Sequence, residues 1–241
     1  MYKLVIMAGG VLLMSGSLAT ADVLGVGARA SYWDSDLSGE AGKNGDLVDV
    51  ENELDLDSDS NVNAEAYFEH PVPILPNVRL NYTKIEQSGS GEISTGFDVV
   101  NGQVDSDLDL TQFDVTLYYE VLDNWVNLDL GLTARSLDGE LTIREQLSGT
   151  ESRTDIDAVV PMAFLAARFD LPFTGASVGG QANGISFDGD SVYDVNVYGQ
   201  YELSVVSLRA GYRQISIDFE DGDDRLDVEL DGPFLSAGLV F

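Results

Sequence analysis

Apolar and polar residues alternate one for one along this chain, in strand-length runs. The first run, 22–33, places Leu24, Val26, Ala28, Ala30 and Tyr32 at every second position. Successive side chains of a β-strand point to opposite faces, so this pattern predicts a strand with one apolar face.

Later runs occur in pairs that predict hairpins. The pairs occupy about 61–83, 112–135, 155–183 and 193–214, and short turns such as His70-Pro71-Val72-Pro73 and Asp123-Asn124 join their halves. The stretch 34–53 is rich in acidic residues, glycine, serine and asparagine, and the stretch 87–103 is polar and rich in glycine, so both predict long solvated loops. The chain therefore alternates short connections with long acidic ones.

The last ten residues, GPFLSAGLVF, carry no charge and end in an aromatic ring. One face of the predicted closing strand is apolar and consists of Leu235, Ala237, Leu239 and Phe241. The last strand of a soluble β-sandwich would show the same alternation.

The N-terminal residues predict a secretory signal peptide over 1–21, followed by one mature domain over 22–241. Lys3 precedes an almost continuous apolar run to Met14, and Ala19-Thr20-Ala21 supplies small residues for cleavage. The run is too short for a membrane helix, which needs about 20 apolar residues.

The charge and the missing cysteines exclude several function classes. The net charge is -30 with only 12 lysine and arginine residues, which argues against nucleic acid as a partner because binding it requires basic side chains. The chain has no cysteine, so disulfide scaffolds, thiol catalysis and thiolate metal sites are excluded. No cofactor is expected.

In these features the chain resembles small Gram-negative outer-membrane β-barrel proteins. The resemblance rests on the signal peptide, the terminal Phe241 and the unequal connections. It implies an all-β, antiparallel up-and-down transmembrane barrel of roughly ten strands in the cell outer membrane. It also implies membrane lipid and lipopolysaccharide as surroundings, and recognition of the closing strand by the barrel-assembly machinery.

Such a barrel would place aromatic residues near the periplasmic turns and charged residues inside. The predicted lower aromatic girdle is Phe68, Tyr119, Phe169 and Tyr201, each followed by an acid. The predicted lumen charge network is Arg29, Glu65, Glu69, Arg79, Asp114, Glu120, Asp129, Arg135, Arg168, Asp194, Glu202, Arg209 and Arg213. Paired charges of this kind would fill a small barrel. The third hairpin fits less well, because it places Met162 and Phe164 on the lumen face.

No catalytic residue or metal site is predicted. The single histidine, His70, lies at a predicted periplasmic turn. Asp55, Asp57 and Asp59 begin like a calcium loop, but the glycine and glutamate that such a loop requires are absent. Weak binding of divalent cations by acidic loops, around 105–109 and 221–224, remains open.

These observations favour a non-enzymatic outer-membrane barrel that is structural or forms a narrow, weakly conducting passage, with acidic extracellular loops. Two alternatives remain. One is a small cation-preferring pore, because acids outnumber bases near the mouth. The other is a surface adhesion or recognition barrel that uses the long first loop.

Overall fold

The computed structural model describes residues 24–58, 61–222 and 224–241. The predicted signal peptide lies outside these ranges. The described part of the chain contains no helix long and apolar enough to cross a membrane.

The described residues form an all-β structure. In chain order the strands are β1 (Gly25–Trp33), β2 (Asp36–Lys43), β3 (Asp46–Asp49), β4 (Asp57–Ser58), β5 (Asn61–Glu69), β6 (Asn77–Phe97), β7 (Val100–Leu122), β8 (Val126–Glu145), β9 (Glu151–Leu171), β10 (Ala176–Phe187), β11 (Asp190–Leu203), β12 (Val206–Asp221) and β13 (Asp224–Val240). Strands β5 to β13 pair with their chain neighbours, and β1 pairs with both β5 and β13, so the sheet closes. This confirms the predicted up-and-down antiparallel barrel, which has ten strands.

The prediction of a solvated loop over 34–53 is wrong. Most of this stretch belongs to the sheet, because β2 continues the line of β1 along β13 and β3 folds back onto β2. Leu37, Ala41, Val48 and Val50 are buried. Their spacing is the strand period, but the acidic residues around them hide it.

The prediction of a polar loop over 87–103 is also wrong. Strands β6 and β7 run through this stretch to a tight turn at Asp98, whose φ is 52°. The inward side chains Ile93 and Val104 are buried, whereas the exposed side chains between them, apart from Val99 in the turn, are polar. A strand whose outer face meets water resembles a loop in composition.

The polarity of the inner and outer faces of the barrel reverses along its axis. In the lower half, outward residues of β7 are apolar from Tyr119 to Phe113, and inward Asp114 is buried. Farther up the same strand the outward residues are Asp109 and Asp107, whereas inward Leu110 is buried. An apolar outer face suits lipid and an acidic outer face suits water. The long strands therefore extend beyond the apolar band that a membrane would cover.

Candidate functional site: the barrel interior

Four buried side chains form an ionic network across the middle of the lumen. Arg135, which is 1% exposed, donates to both carboxylate oxygens of Asp114 at 2.8 and 2.7 Å. Its Nη2 also donates to Asp194 at 2.5 Å, and Arg213 donates to the same carboxylate at 3.0 and 2.7 Å. Asp114 and Arg135 lie on β7 and β8, whereas Asp194 and Arg213 lie on β11 and β12. The network thus joins opposite walls.

Two further arginines fill the lumen. Arg29 on β1 pairs with Glu65 on β5 at 2.5 Å. Arg79 lies 3.8 Å from Asp129, and its guanidinium sits 4.9 Å from the ring centre of Tyr118 and 5.1 Å from that of Phe164. These contacts explain why Phe164 faces inward, since its ring packs against an arginine.

The remaining residues of the predicted network have other partners. Arg168 pairs with Asp170 at 3.0 Å, a residue that the predicted network does not include. Glu69, Glu120 and Glu202 accept hydrogen bonds from Tyr118, Asn77 and Gln200, respectively. Arg209 stacks 4.0 Å from the ring centre of Tyr198, and within the described residues no carboxylate lies within 4.0 Å of it.

Above the network the interior becomes apolar. We call this region the upper core; its buried members are Trp33, Leu37, Ala41, Val48, Val50, Leu54, Leu56, Ile85, Ile93, Phe97, Val100, Val104, Leu110, Leu137, Ile143, Ile215, Ile217, Val228 and Leu230. Most belong to the wall of the barrel. Residues 46–56, which we call the upper wall segment, connect β2 to β4 in that wall. They supply Val48, Val50, Leu54 and Leu56, and Leu54 is fully buried. The sequence pattern missed this core because its residues lie within acidic stretches.

The upper wall segment passes directly beside β6 at Gly89 and Gly91, in line with β4, which pairs with β6. A Cβ added at Gly91 would lie 2.0 Å from the carbonyl oxygen of Glu53, and one at Gly89 would lie 2.1 Å from that of Asp55. Only glycine permits so close an approach of two backbones.

Replacing Gly91 with valine is therefore expected to displace the upper wall segment from β6 while the rest of the barrel still forms. The measurement is trypsin cleavage after Lys43 in refolded protein, read by mass spectrometry, and cleavage should become faster than in the wild type. Gly199→Val is the control, because no atom lies within 4 Å of its added Cβ. Equal cleavage rates in the two variants would contradict the placement of the segment.

A polar cluster around Asp98 ties three hairpin ends together at the mouth. Lys43, at the β2–β3 turn, lies 3.1 Å from the Asp98 carboxylate and donates to the Arg153 carbonyl at 3.1 Å. Ser152 donates to Asp98 at 2.7 Å. The hydrogen bond from Ser152, followed by that from Lys43, holds the pKa of Asp98 below its usual range. The carboxylate therefore stays charged at neutral pH.

The outer face carries aromatic residues at two levels. The predicted girdle residues Phe68, Tyr119, Phe169 and Tyr201 are exposed on the outer face near the short turns. A second, exposed set near the upper edge of the apolar band consists of Tyr32, Tyr82, Phe113, Tyr193 and Tyr212. Aromatic residues at both edges of an apolar band are typical of transmembrane barrels.

Above the band, the outer wall is acidic. Glu86, Asp109, Glu140 and Asp155 stand opposite one another on β6, β7, β8 and β9. Like charges directly across a sheet are destabilising. This row is tolerated because water solvates it and because Lys84 pairs with Glu86 and Asp109, and Arg153 pairs with Glu140. The predicted acidic surface therefore lies on strands as well as on loops.

The closing strand completes the barrel at the lower edge. Phe241 exchanges two backbone hydrogen bonds with Val26, at 2.8 and 3.0 Å. The outward face of β13 carries Leu235, Ala237 and Leu239, and Phe241 follows in the same alternation. These are the residues that we expect the assembly machinery to recognise.

His70 lies at the β5–β6 turn, where its Nε2 is 3.2 Å from the carbonyl oxygen of Pro76. Among the described residues, no three histidine or acidic side chains lie close enough together to hold a metal ion. Asp59 of the rejected calcium pattern lies outside the described ranges.

Comparison with known proteins gives matches in structure. No protein-family model matches the sequence, and no curated protein does. The chain is similar to the outer-membrane protease OmpT from Escherichia coli, with a TM-score of 0.55 and 8% identity over 93% of this chain and 99% of that one. It is also similar to the translocator domain of the autotransporter NalP from Neisseria meningitidis, with a TM-score of 0.50 and 10% identity over 91% and 89% of the two chains. The chain therefore has the fold of an outer-membrane β-barrel.

Proposed function

We propose that the protein is a non-enzymatic integral outer-membrane barrel whose lumen is closed to ions at two levels. The observation that carries this proposal is the upper core, since apolar side chains of the wall, including those of the upper wall segment, fill the interior above the ionic network. The ionic network closes the level below. An ion would have to pass both levels in series.

A cation-preferring pore is less well supported. Conducting barrels line their passage with polar or charged groups that replace the hydration shell of the ion, whereas an apolar constriction excludes water. Here the inward acids Asp114 and Asp194 are already engaged by arginine. A surplus of free carboxylates, which cation selectivity requires, is not found at this level of the described interior.

The non-enzymatic assignment rests on the position of His70. OmpT is a protease, so the fold by itself is compatible with catalysis. In this chain the single histidine lies at a short turn, at the end of the barrel away from the acidic wall. A histidine that could act as a catalytic base is therefore not available beside the upper core.

The acidic outer wall favours a second role at the cell surface. Its row of carboxylates, Glu86, Asp109, Glu140 and Asp155, stands above the aromatic residues Tyr82 and Phe113 of the same sheet. Lipopolysaccharide is anionic and is bridged by divalent ions, so this wall would contact that layer through shared cations. Surface adhesion through the same face is compatible with a closed lumen.

Planar-bilayer conductance of the refolded protein tests the closed barrel. We expect no resolved channel steps from the wild type, from Arg135→Ala, which opens the ionic network, or from a variant whose upper wall segment is replaced by glycine and serine residues of equal number. The variant that combines both changes should conduct with cation preference, because it opens both levels. Strong conductance by the wild type would overturn the proposal and favour the cation pore.

A further inference from the structure

The lower lumen contains one arginine that no carboxylate pairs. Arg29 and Arg79 each have a carboxylate partner, Glu65 at 2.5 Å and Asp129 at 3.8 Å. Arg209 has no carboxylate within 4.0 Å among the described residues, and its Nε donates to the neutral Gln200. The ionic network above contains as many aspartates as arginines. Arg209 is therefore a surplus cation.

The three arginines form one cluster around Glu65. This carboxylate lies within electrostatic range of all three, and Arg209 lies within electrostatic range of Arg29 and Arg79. Repulsion between cations is weakly screened in an interior with little water. The cluster would therefore be stabilised by one further negative charge.

Buried donors without partners line the same part of the lumen. Arg29 Nε and Arg79 Nε and Nη1 have no hydrogen-bond partner among the described residues, and neither do the hydroxyls of Ser207 and Ser236. The two serines are only 0% and 7% exposed. Ser236 is the register partner of Arg209, and Ser207 is the preceding inward residue of β12. Guanidinium groups donate and never accept, so the partner that these buried groups lack is an acceptor.

The cluster is reached from the end of the barrel with the short turns. Arg209 faces inward but is partly exposed, so solvent reaches it. On the other side, Arg213 belongs to the ionic network that closes the lumen. Nearer the short turns lie Glu69, Glu120 and Glu202, which accept from neutral side chains. Their repulsion of an entering anion grows with its charge, which favours an anion with a single charge.

We propose that the lower lumen is a binding site for a small, singly charged anion of the size of chloride or formate. The anion accepts hydrogen bonds from Arg209 and from the hydroxyl of Ser236, and it neutralises the surplus positive charge. A dianion is disfavoured because only one arginine of the cluster lacks a carboxylate partner. The site goes beyond the closed barrel proposed above, since an anion can occupy it without passing through the lumen.

The linewidth of the chloride NMR signal measures this binding, because chloride that exchanges onto a large particle relaxes faster than free chloride. The sample is the refolded protein in an uncharged detergent. The net charge of -30 repels chloride from the rest of the surface, which keeps the background small. We expect excess linewidth from the wild type. Formate should displace it, whereas gluconate, a larger anion of the same charge, should not.

Arg209→Met tests the cation of the site, because methionine keeps an unbranched side chain over the ring of Tyr198 but carries no charge. We expect the formate-sensitive linewidth to be lost. Arg144→Met is the matched control and should bind chloride like the wild type. Arg144 is exposed at the upper end of β8, where it pairs with Glu151.

Ser236→Ala tests the hydroxyl donor and should weaken chloride binding about fivefold, as expected for one lost hydrogen bond. Ser106→Ala is its control and should have no effect. The Ser106 hydroxyl is also buried and without a partner, but it lies opposite Ile143 of the upper core.

A wild type without formate-sensitive linewidth would overturn the proposal. Equal formate-sensitive linewidth in the wild type and in Arg209→Met would overturn it as well. Ion conductance by the wild type would contradict the closed barrel but not this binding site.

Discussion

Replacing Arg135 with alanine is expected to lower the free energy of unfolding by about 3–5 kcal/mol, the range for breaking a buried ion pair by removing one partner. Arg135 is the link between Asp114 and Asp194. Without it, Asp114 has no other cation within 4.0 Å among the described residues, and Asp194 keeps only Arg213. The loss arises because a carboxylate is left buried and unpaired.

Urea-induced unfolding in lipid vesicles measures this loss. Arg168→Ala is the matched control, because Arg168 also pairs with a carboxylate but both partners are more than a third exposed. Exposed pairs contribute about 0–1 kcal/mol. A similar loss in the two variants would contradict the picture of a dry ionic network across the lumen.

Replacing Leu130 with arginine is expected to destabilise the barrel by about 2–4 kcal/mol, the cost of a basic side chain near the bilayer midplane. Leu130 is exposed on the outer face of β8 and lies midway between Val126 and Ala134, which bound the apolar band on that strand. No inward charge can reach an arginine there, because the side chain points away from the lumen.

Ser136→Arg on the same strand and the same face is the control. Ser136 stands opposite Phe113 at the upper edge of the band, where an arginine should cost about 0–1 kcal/mol. Unfolding in lipid vesicles compares the two variants. An equal cost at both positions would mean that the apolar band of β8 does not face lipid.

The lower half of the barrel could be predicted from the sequence because its two faces meet different surroundings. Outward Leu130 and Tyr119 alternate with inward Asp129 and Glu120, and the period of two reports this difference directly. The short turns are also marked, as at His70-Pro71. Strand existence, hairpin order and the choice of face follow from these local signals.

The sequence determined less about the upper half, although its strands have the same period. Val48, Leu54 and Ile93 are buried there, but acidic residues that solvate the outer wall surround them and make the composition resemble that of a loop. An alternation identifies two faces without saying which of them meets water. The face that is polar switches from the inner to the outer one at the level where the strands leave the apolar band.

Only the tertiary structure decided which charges meet and what fills the mouth. Arg135 and Asp194 are 59 positions apart, and Lys43 reaches Arg153 over 110 positions. These contacts exist because closure of β1 on β13 brings opposite walls within reach of side chains. A local pattern fixes the face on which a residue lies, whereas its partner across the lumen depends on the registers of all the strands between them.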